Sequence, residues 1–123
     1  MPRFGDLEAA IMDVVWAAGA PLRVREVADQ LNRDRPLAFN TVQTVMDNLH
    51  RKGWLTRQKA GRAYLYVAER SREDYVASLL GEALAVASDP AATLVRLVEN
   101  MDPAEIAQLR AALDAAVDRE PAR

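Results

Sequence analysis

The sequence has no cysteine and only one histidine, His50. Without cysteine there is no disulfide framework, no thiolate metal site and no thiol nucleophile. One histidine cannot build a His-based metal cluster, so neither a metal nor a cofactor is expected. The five glycines stand alone at positions 5, 19, 53, 61 and 81, so no glycine-rich phosphate loop exists. No run of about 20 apolar residues is present, so no membrane-spanning helix is expected. The start, "MPRFGDLEAA", has no apolar stretch before its first acids, so no signal peptide is expected and a cytoplasmic location follows. Ser71, Ser78 and Ser88 fall at helix caps or in helix interiors with no base nearby. Glu73 and Asp74 fall in a first helical turn, where capping explains them. No constellation for catalysis is left, and the chain is expected not to be an enzyme.

What is present is a globular composition, half hydrophobic and 28% charged, in a chain of 123 residues that suits one or two small domains. The net charge of −2 conceals an asymmetry. Residues 1–70 carry a net of +3 and residues 71–123 a net of −5. The positive excess lies between Arg33 and Arg62: Arg33, Arg35, Arg51, Lys52, Arg57, Lys59 and Arg62 stand against Asp34 and Asp47. Screening acts over about 8 Å at physiological salt, so a local basic surface can attract a polyanion whatever the net charge. A solvated loop-and-helix surface would carry the same charges.

Hydrophobic spacing sets out the elements. Leu7, Ala10, Ile11, Val14, Val15 and Ala18 stripe a first helix over about 7–18, with Asp6 as cap and Gly19 as stop. "APLRV" allows no more than a turn or a stub of strand. Val24, Val27, Ala28 and Leu31 define a second helix over about 24–33. "RDRPLAF" is a loop, because Pro36 disfavours helical geometry at Arg35. Val42, Val45, Met46 and Leu49 define a third helix over about 41–52, with Asn40 as cap, Gln43 close to a capping-box position and Gly53 at its end. Two short strands follow, about 54–59 and 62–68, joined at "KAGR". Trp16 and Trp54 read as core, while Tyr64 and Tyr66 share one strand face, alternating with Ala63, Leu65 and Val67, that either packs or supports the wing and touches sugar-phosphate.

Beyond Ser71 there is no strand signal. Three helices are expected, started by Ser71, by Asp89-Pro90 and by Asp102-Pro103 with Glu105. Val76, Leu79 and Leu80 line one side of the first, and Leu94, Leu97 and Val98 are apolar positions of the second. Ile106, Leu109 and Leu113 form a short seam on the third. Three such helices are too little to close a core alone, and a two-fold partner would supply the missing surface. The expected fold is mainly α with one small β-hairpin: a winged helix-turn-helix domain over 1–70, then a helical dimerisation domain over 71–123.

The third helix shows what the first domain is for. Its outer side carries Asn40, Thr41, Gln43 and Thr44, then Asp47 and Asn48, with Arg51 and Lys52 in the last turn. Amides can read adenine bidentately, and threonine offers a hydroxyl and a methyl to the major groove. These six are the candidate base-reading residues. Arg51 and Lys52, with Arg57, Lys59 and Arg62 about the hairpin, are the candidate phosphate ligands. The plainer alternative makes Asn40 a cap, Gln43 its partner and the threonines ordinary surface.

"GDLEAAIMDVVW", "PLRVREVADQL", "RPLAFNTVQTVMDNLHRKGWLTRQKAGRAYLYVA" and "SREDY" resemble the penicillinase-repressor (BlaI/MecI/CopY) family of bacterial transcriptional regulators. The resemblance implies a homodimeric repressor that binds a palindromic operator in double-stranded DNA, of β-lactamase or stress-response genes. In it Thr41, Gln43 and Thr44 stand where similar residues contact the operator. It also implies an inactivating protease or sensor system as a partner, and none in a membrane. Four departures stand out. Asn48 occupies a position where members often carry Arg. Arg23 replaces the usual Thr or Ser cap before Glu26, so half of a capping box is missing. Arg96-Leu97 replaces the Asn-Phe bond cleved in staphylococcal-type members. The Cys-x-Cys pattern of the copper-responsive branch is absent. Two alternatives from other classes are a winged helix used only for protein interaction, and a regulator whose C-terminal helices sense a small molecule.

Overall fold

The computed structural model describes residues 3–33 and 36–119. Asp34 and Arg35 of the basic stretch and the terminal "EPAR" lie outside them. The chain forms two compact units, Met1–Leu80 and Gly81–Arg123.

The first unit contains helices α1 (Asp6–Ala18), α2 (Val24–Leu31) and α3 (Phe39–Arg51), strands β1 (Leu55–Ala60) and β2 (Ala63–Ala68), and the first turns of α4 (Arg72–Ala85). The three helices pack on one another, α3 also meets β1, and α1 and α2 meet β2. Val42, Met46 and Leu49 of α3 are fully buried, as are Val27 of α2 and Ile11 of α1. Burying each such aliphatic side chain contributes about 1.5–3 kcal/mol relative to exposure. The spacing of three and four that predicted these helices is therefore the pattern of the core.

The stripe of α1 differs from its expected course. Met12 is buried, whereas Ala18 is exposed. Met12 joins the same core as Ile11 and Val15, and Phe4, ahead of the helix, is buried in it too. Phe4 and Trp54 meet edge to face at 5.1 Å, and Tyr75 of α4 stacks on Phe4. Trp54 is core, as expected. Trp16 is only half-buried, its indole N–H donating to the Arg70 carbonyl at 2.8 Å.

Two N-caps also differ. Gly5 rather than Asp6 caps α1, because the Glu8 carboxylate reaches back to the Gly5 N–H at 3.0 Å and draws the helix start forward. Ala38 rather than Asn40 caps α3. The Ala38 carbonyl accepts from the N–H groups of Thr41 and Val42, at 3.1 and 3.3 Å, so Asn40 already lies inside the helix. At α2 the Glu26 carboxylate accepts from the Arg23 N–H at 2.9 Å, and Arg23 offers no acceptor in return. Half of a capping box is what remains.

β1 and β2 pair antiparallel from Leu55↔Ala68 to Ala60↔Ala63, leaving Gly61 and Arg62 as a two-residue loop. Gly61 has φ 66 and Arg62 has no positive φ, which is the requirement of a type II′ hairpin turn. The stub of strand in "APLRV" is one residue. Leu22 and Tyr66 exchange backbone hydrogen bonds at 3.0 and 2.8 Å. That exchange docks the hairpin at mid-wing, while Gly61 and Arg62 at its tip are exposed.

The second unit contains the end of α4, α5 (Pro90–Glu99) and α6 (Pro103–Arg119). The expected caps form. Ser71 and Asp74 satisfy each other's N–H at the start of α4, Asp89 accepts from Ala92 N–H, and Asp102 and Glu105 exchange bonds. No described residue of α5 or α6 is buried. Leu94, Leu97 and Leu113 are 45%, 50% and 59% exposed.

Candidate nucleic-acid interface

The face of α3 opposite Val42, Met46 and Leu49 holds the candidate residues. Asn40, Thr41, Gln43 and Thr44 are all exposed, and none takes a side-chain hydrogen bond from another described residue. The amides are not occupied in capping, because the cap lies at Ala38. The first N–H groups of α3 and its dipole add a positive end to this polar surface.

The next turn is different. Asp47 and Asn48 are half-buried and engaged. Asp47 Oδ1 accepts from Arg57 Nη1 at 2.8 Å and from the Tyr66 hydroxyl at 3.2 Å. Asn48 Oδ1 accepts from the Arg51 guanidinium. The six candidate base-readers thus divide into four open side chains and two that are tied within the protein.

The candidate phosphate ligands divide similarly. Lys52 Nζ pairs with Glu8 Oε2 at 2.8 Å, Arg51 holds Asn48, and Arg57 holds Asp47. Lys59 and Arg62, at the wing tip, are exposed and unpaired among the described residues. Lys52 is 53% exposed and Arg51 is exposed too, so each can exchange its protein partner at little cost, whereas Arg57, 28% exposed, is held more closely.

Burial pushes the Tyr66 phenol above its ordinary value, and Asp47 beside it adds to the rise against the opposing Arg57. The hydrogen bond to Tyr66, with Asp47 nearby, holds the Arg57 guanidinium above its ordinary value. Arg57 and the Tyr66 hydroxyl thus both donate to Asp47 Oδ1.

Between α2, α3 and the wing lies a cleft of about 360 Å³, lined by Arg23, Arg25, Phe39, Gln43, Arg62 and Tyr64 among others. Arg23 and Arg25 were not among the residues expected at the interface. Arg25 lies over the Phe39 ring at 5.4 Å. Both arginines sit at the N-terminal end of α2, where a positive charge opposes the helix dipole. That mismatch is the sequence signal that could have singled them out.

Among the described residues no helix is long and apolar enough to cross a membrane. Three packed helices, a hairpin wing and an open amide-and-hydroxyl face beside wing-tip cations define a winged-helix DNA-binding regulator. A family model described as penicillinase repressor matches residues 4–115. The chain belongs to the penicillinase repressor family. It is 39% identical over 116 residues to the transcriptional regulator BlaI of Mycobacterium tuberculosis, an alignment covering 92% of this chain and 84% of that protein. The solution structure of the DNA-binding domain of the repressor BlaI superposes with a TM-score of 0.53 at 30% identity, covering 60% of this chain and 89% of that one. Bacillus licheniformis BlaI in monomeric form, in complex with the blaP half-operator, gives a TM-score of 0.50 at 30% identity with the same coverage.

Proposed function

We propose that the protein is a DNA-binding transcriptional repressor that occupies a palindromic operator as a homodimer in the cytoplasm. Residues 1–70 are the DNA-binding part and residues 71–123 the dimerising part. Asn40, Thr41, Gln43 and Thr44 approach base edges in the major groove. Lys59 and Arg62 meet the phosphate backbone, with Arg51 and Lys52 joining as they exchange their protein partners for phosphate.

The observation that carries this reading is the open polar face of α3. Four hydrogen-bonding side chains stand exposed with no partner on the described chain, at the end of the helix that a helix-turn-helix presents to the groove. The complex of the B. licheniformis relative with a half-operator supports it. A single winged helix there takes half a site, so a palindrome calls for two.

The dimer reading rests on apolar side chains of α4, α5 and α6. Val76 and Leu80 of α4, Leu94 and Leu97 of α5 and Leu113 of α6 are exposed, and Leu79, Val98, Ile106 and Leu109 are half-buried. A second copy would cover them. β-Lactamase or stress-response genes are the proposed targets, and a protease or sensor system is the proposed inactivating partner. The protein has no enzymatic role in this scheme.

The test is gel retardation with a duplex selected by the protein from a random-sequence library, repeated across salt concentrations. Retardation by two chains per duplex, and symmetry in the selected sequence, are expected. Failure to retard any duplex at low salt would instead favour a winged helix used for protein interaction.

A further inference from the structure

Arg57 stands on the wing, where a cation would be expected to meet phosphate, yet its guanidinium is held on three sides. Nη1 donates to Asp47 Oδ1 at 2.8 Å and to the Tyr66 hydroxyl at 3.3 Å, and Cζ lies 4.3 Å over the Tyr64 ring. The Tyr66 hydroxyl donates to the same Asp47 oxygen at 3.2 Å. Tyr66 is itself 1% exposed, and its backbone is fixed to Leu22 on both sides of one residue. These side chains join α3 to β1 and β2 at mid-wing. Lys59 and Arg62, further toward the tip, have no such ties among the described residues.

The charges point the same way. Asp47 shares the outer side of α3 with the open amides, where a bare carboxylate would repel phosphate. Pairing with Arg57 cancels it. The pair presents no net charge to DNA and therefore releases no counterion of its own.

We infer that Asp47 and Arg57 are positioning residues, a latch that fixes the wing against the reading helix so that the wing-tip cations and the amides of α3 meet DNA in one arrangement. This rests on the DNA-binding reading above. It assigns the two residues to the geometry of the interface, and leaves Asn40, Thr41, Gln43 and Thr44 to read bases.

The experiment measures binding of the duplex selected by the wild-type protein, as a function of salt, for wild type, Asp47→Asn, Arg57→Gln and the double variant. Each single substitution is expected to weaken binding by about tenfold. The double variant should lose no more than the worse single one, and its salt slope should match wild type. Amide hydrogen exchange of the free proteins gives a second readout: the wing amides should exchange faster in all three variants, with the α1 core unchanged. Multiplicative losses, with a salt slope smaller by about 0.9 in the double variant, would make Arg57 a phosphate ligand and overturn the latch. Unaltered wing exchange would overturn it too. A wild-type protein that binds no duplex would overturn the DNA-binding reading and the latch together, whereas multiplicative losses against intact wild-type binding overturn the latch alone.

Discussion

The ring of Tyr75 lies flat on the ring of Phe4, 4.1 Å between centroids and 7° between planes, and the Phe4 N–H donates to the Tyr75 hydroxyl at 2.8 Å. Trp54 meets Tyr75 edge to face at 5.5 Å. The start of the chain, the root of the wing and the first turn of α4 are thereby packed into one core. Arg72 adds an ion pair to Asp13 at 2.7 Å and lies over the Trp16 ring.

Tyr75→Ala removes the stack and uncovers the rings of Phe4 and Trp54, so a loss of about 2–4 kcal/mol is expected. Tyr75→Phe keeps the ring and removes the acceptor of the Phe4 N–H, for a loss of about 1 kcal/mol. Urea unfolding of both variants distinguishes the ring from its hydroxyl.

Gln43→Ala should leave stability unchanged, because the side chain is exposed and caps nothing. Discrimination between the selected duplex and a duplex altered at one base pair should fall by about 1–3 kcal/mol. Equal losses on selected and random DNA would contradict base reading by Gln43.

Lys59→Ala and Arg62→Ala should weaken binding to all duplexes alike. Each should lower the slope of log K against log salt by about 0.9, since each wing-tip cation neutralises one phosphate. Titrations at several salt concentrations measure this directly.

Gly61→Ala tests the wing turn. An added Cβ meets nothing within 4 Å, so only the left-handed backbone at φ 66 resists it. The expected cost is about 1 kcal/mol, felt in the hairpin. Binding to every duplex should weaken as the tip loses its place, and the urea midpoint should fall in step with that cost.

Acid should destabilise the first unit through Glu8. Partial burial alone would raise its pKa, but the hydrogen bonds from Lys52 and the Gly5 N–H hold it below the ordinary 4.5. A folded-state value below the unfolded one means that the stabilisation is complete above the unfolded value and is lost as pH falls through the folded one. Thermal midpoints of wild type and Glu8→Gln should converge as pH falls through that window and separate above it.

The elements were legible because their signals are local. Val42, Val45, Met46 and Leu49 mark α3 by spacing alone, and Gly53 and Gly61 mark its end and the wing turn. The caps at Ser71, Asp89 and Asp102 follow from residue type at a fixed offset. Asn40 and Asp6 were misplaced as caps by the same rule. A carbonyl at Ala38 and a carboxylate at Glu8 competed for those helix starts, and cap propensity does not register such competitors.

The sequence by itself determined the order of helices and strands, the apolar stripe of each helix and the polar outer face of α3. These depend on periods of two and of 3.6 residues, which a chain carries wherever it is read. Only the tertiary structure decided which polar groups on those faces remain open. Asp47 and Arg57, Lys52 and Glu8, and Phe4 and Tyr75 are separated by 10, 44 and 71 residues along the chain. Their pairing depends on where packing brings them in space, and residue spacing carries no record of that.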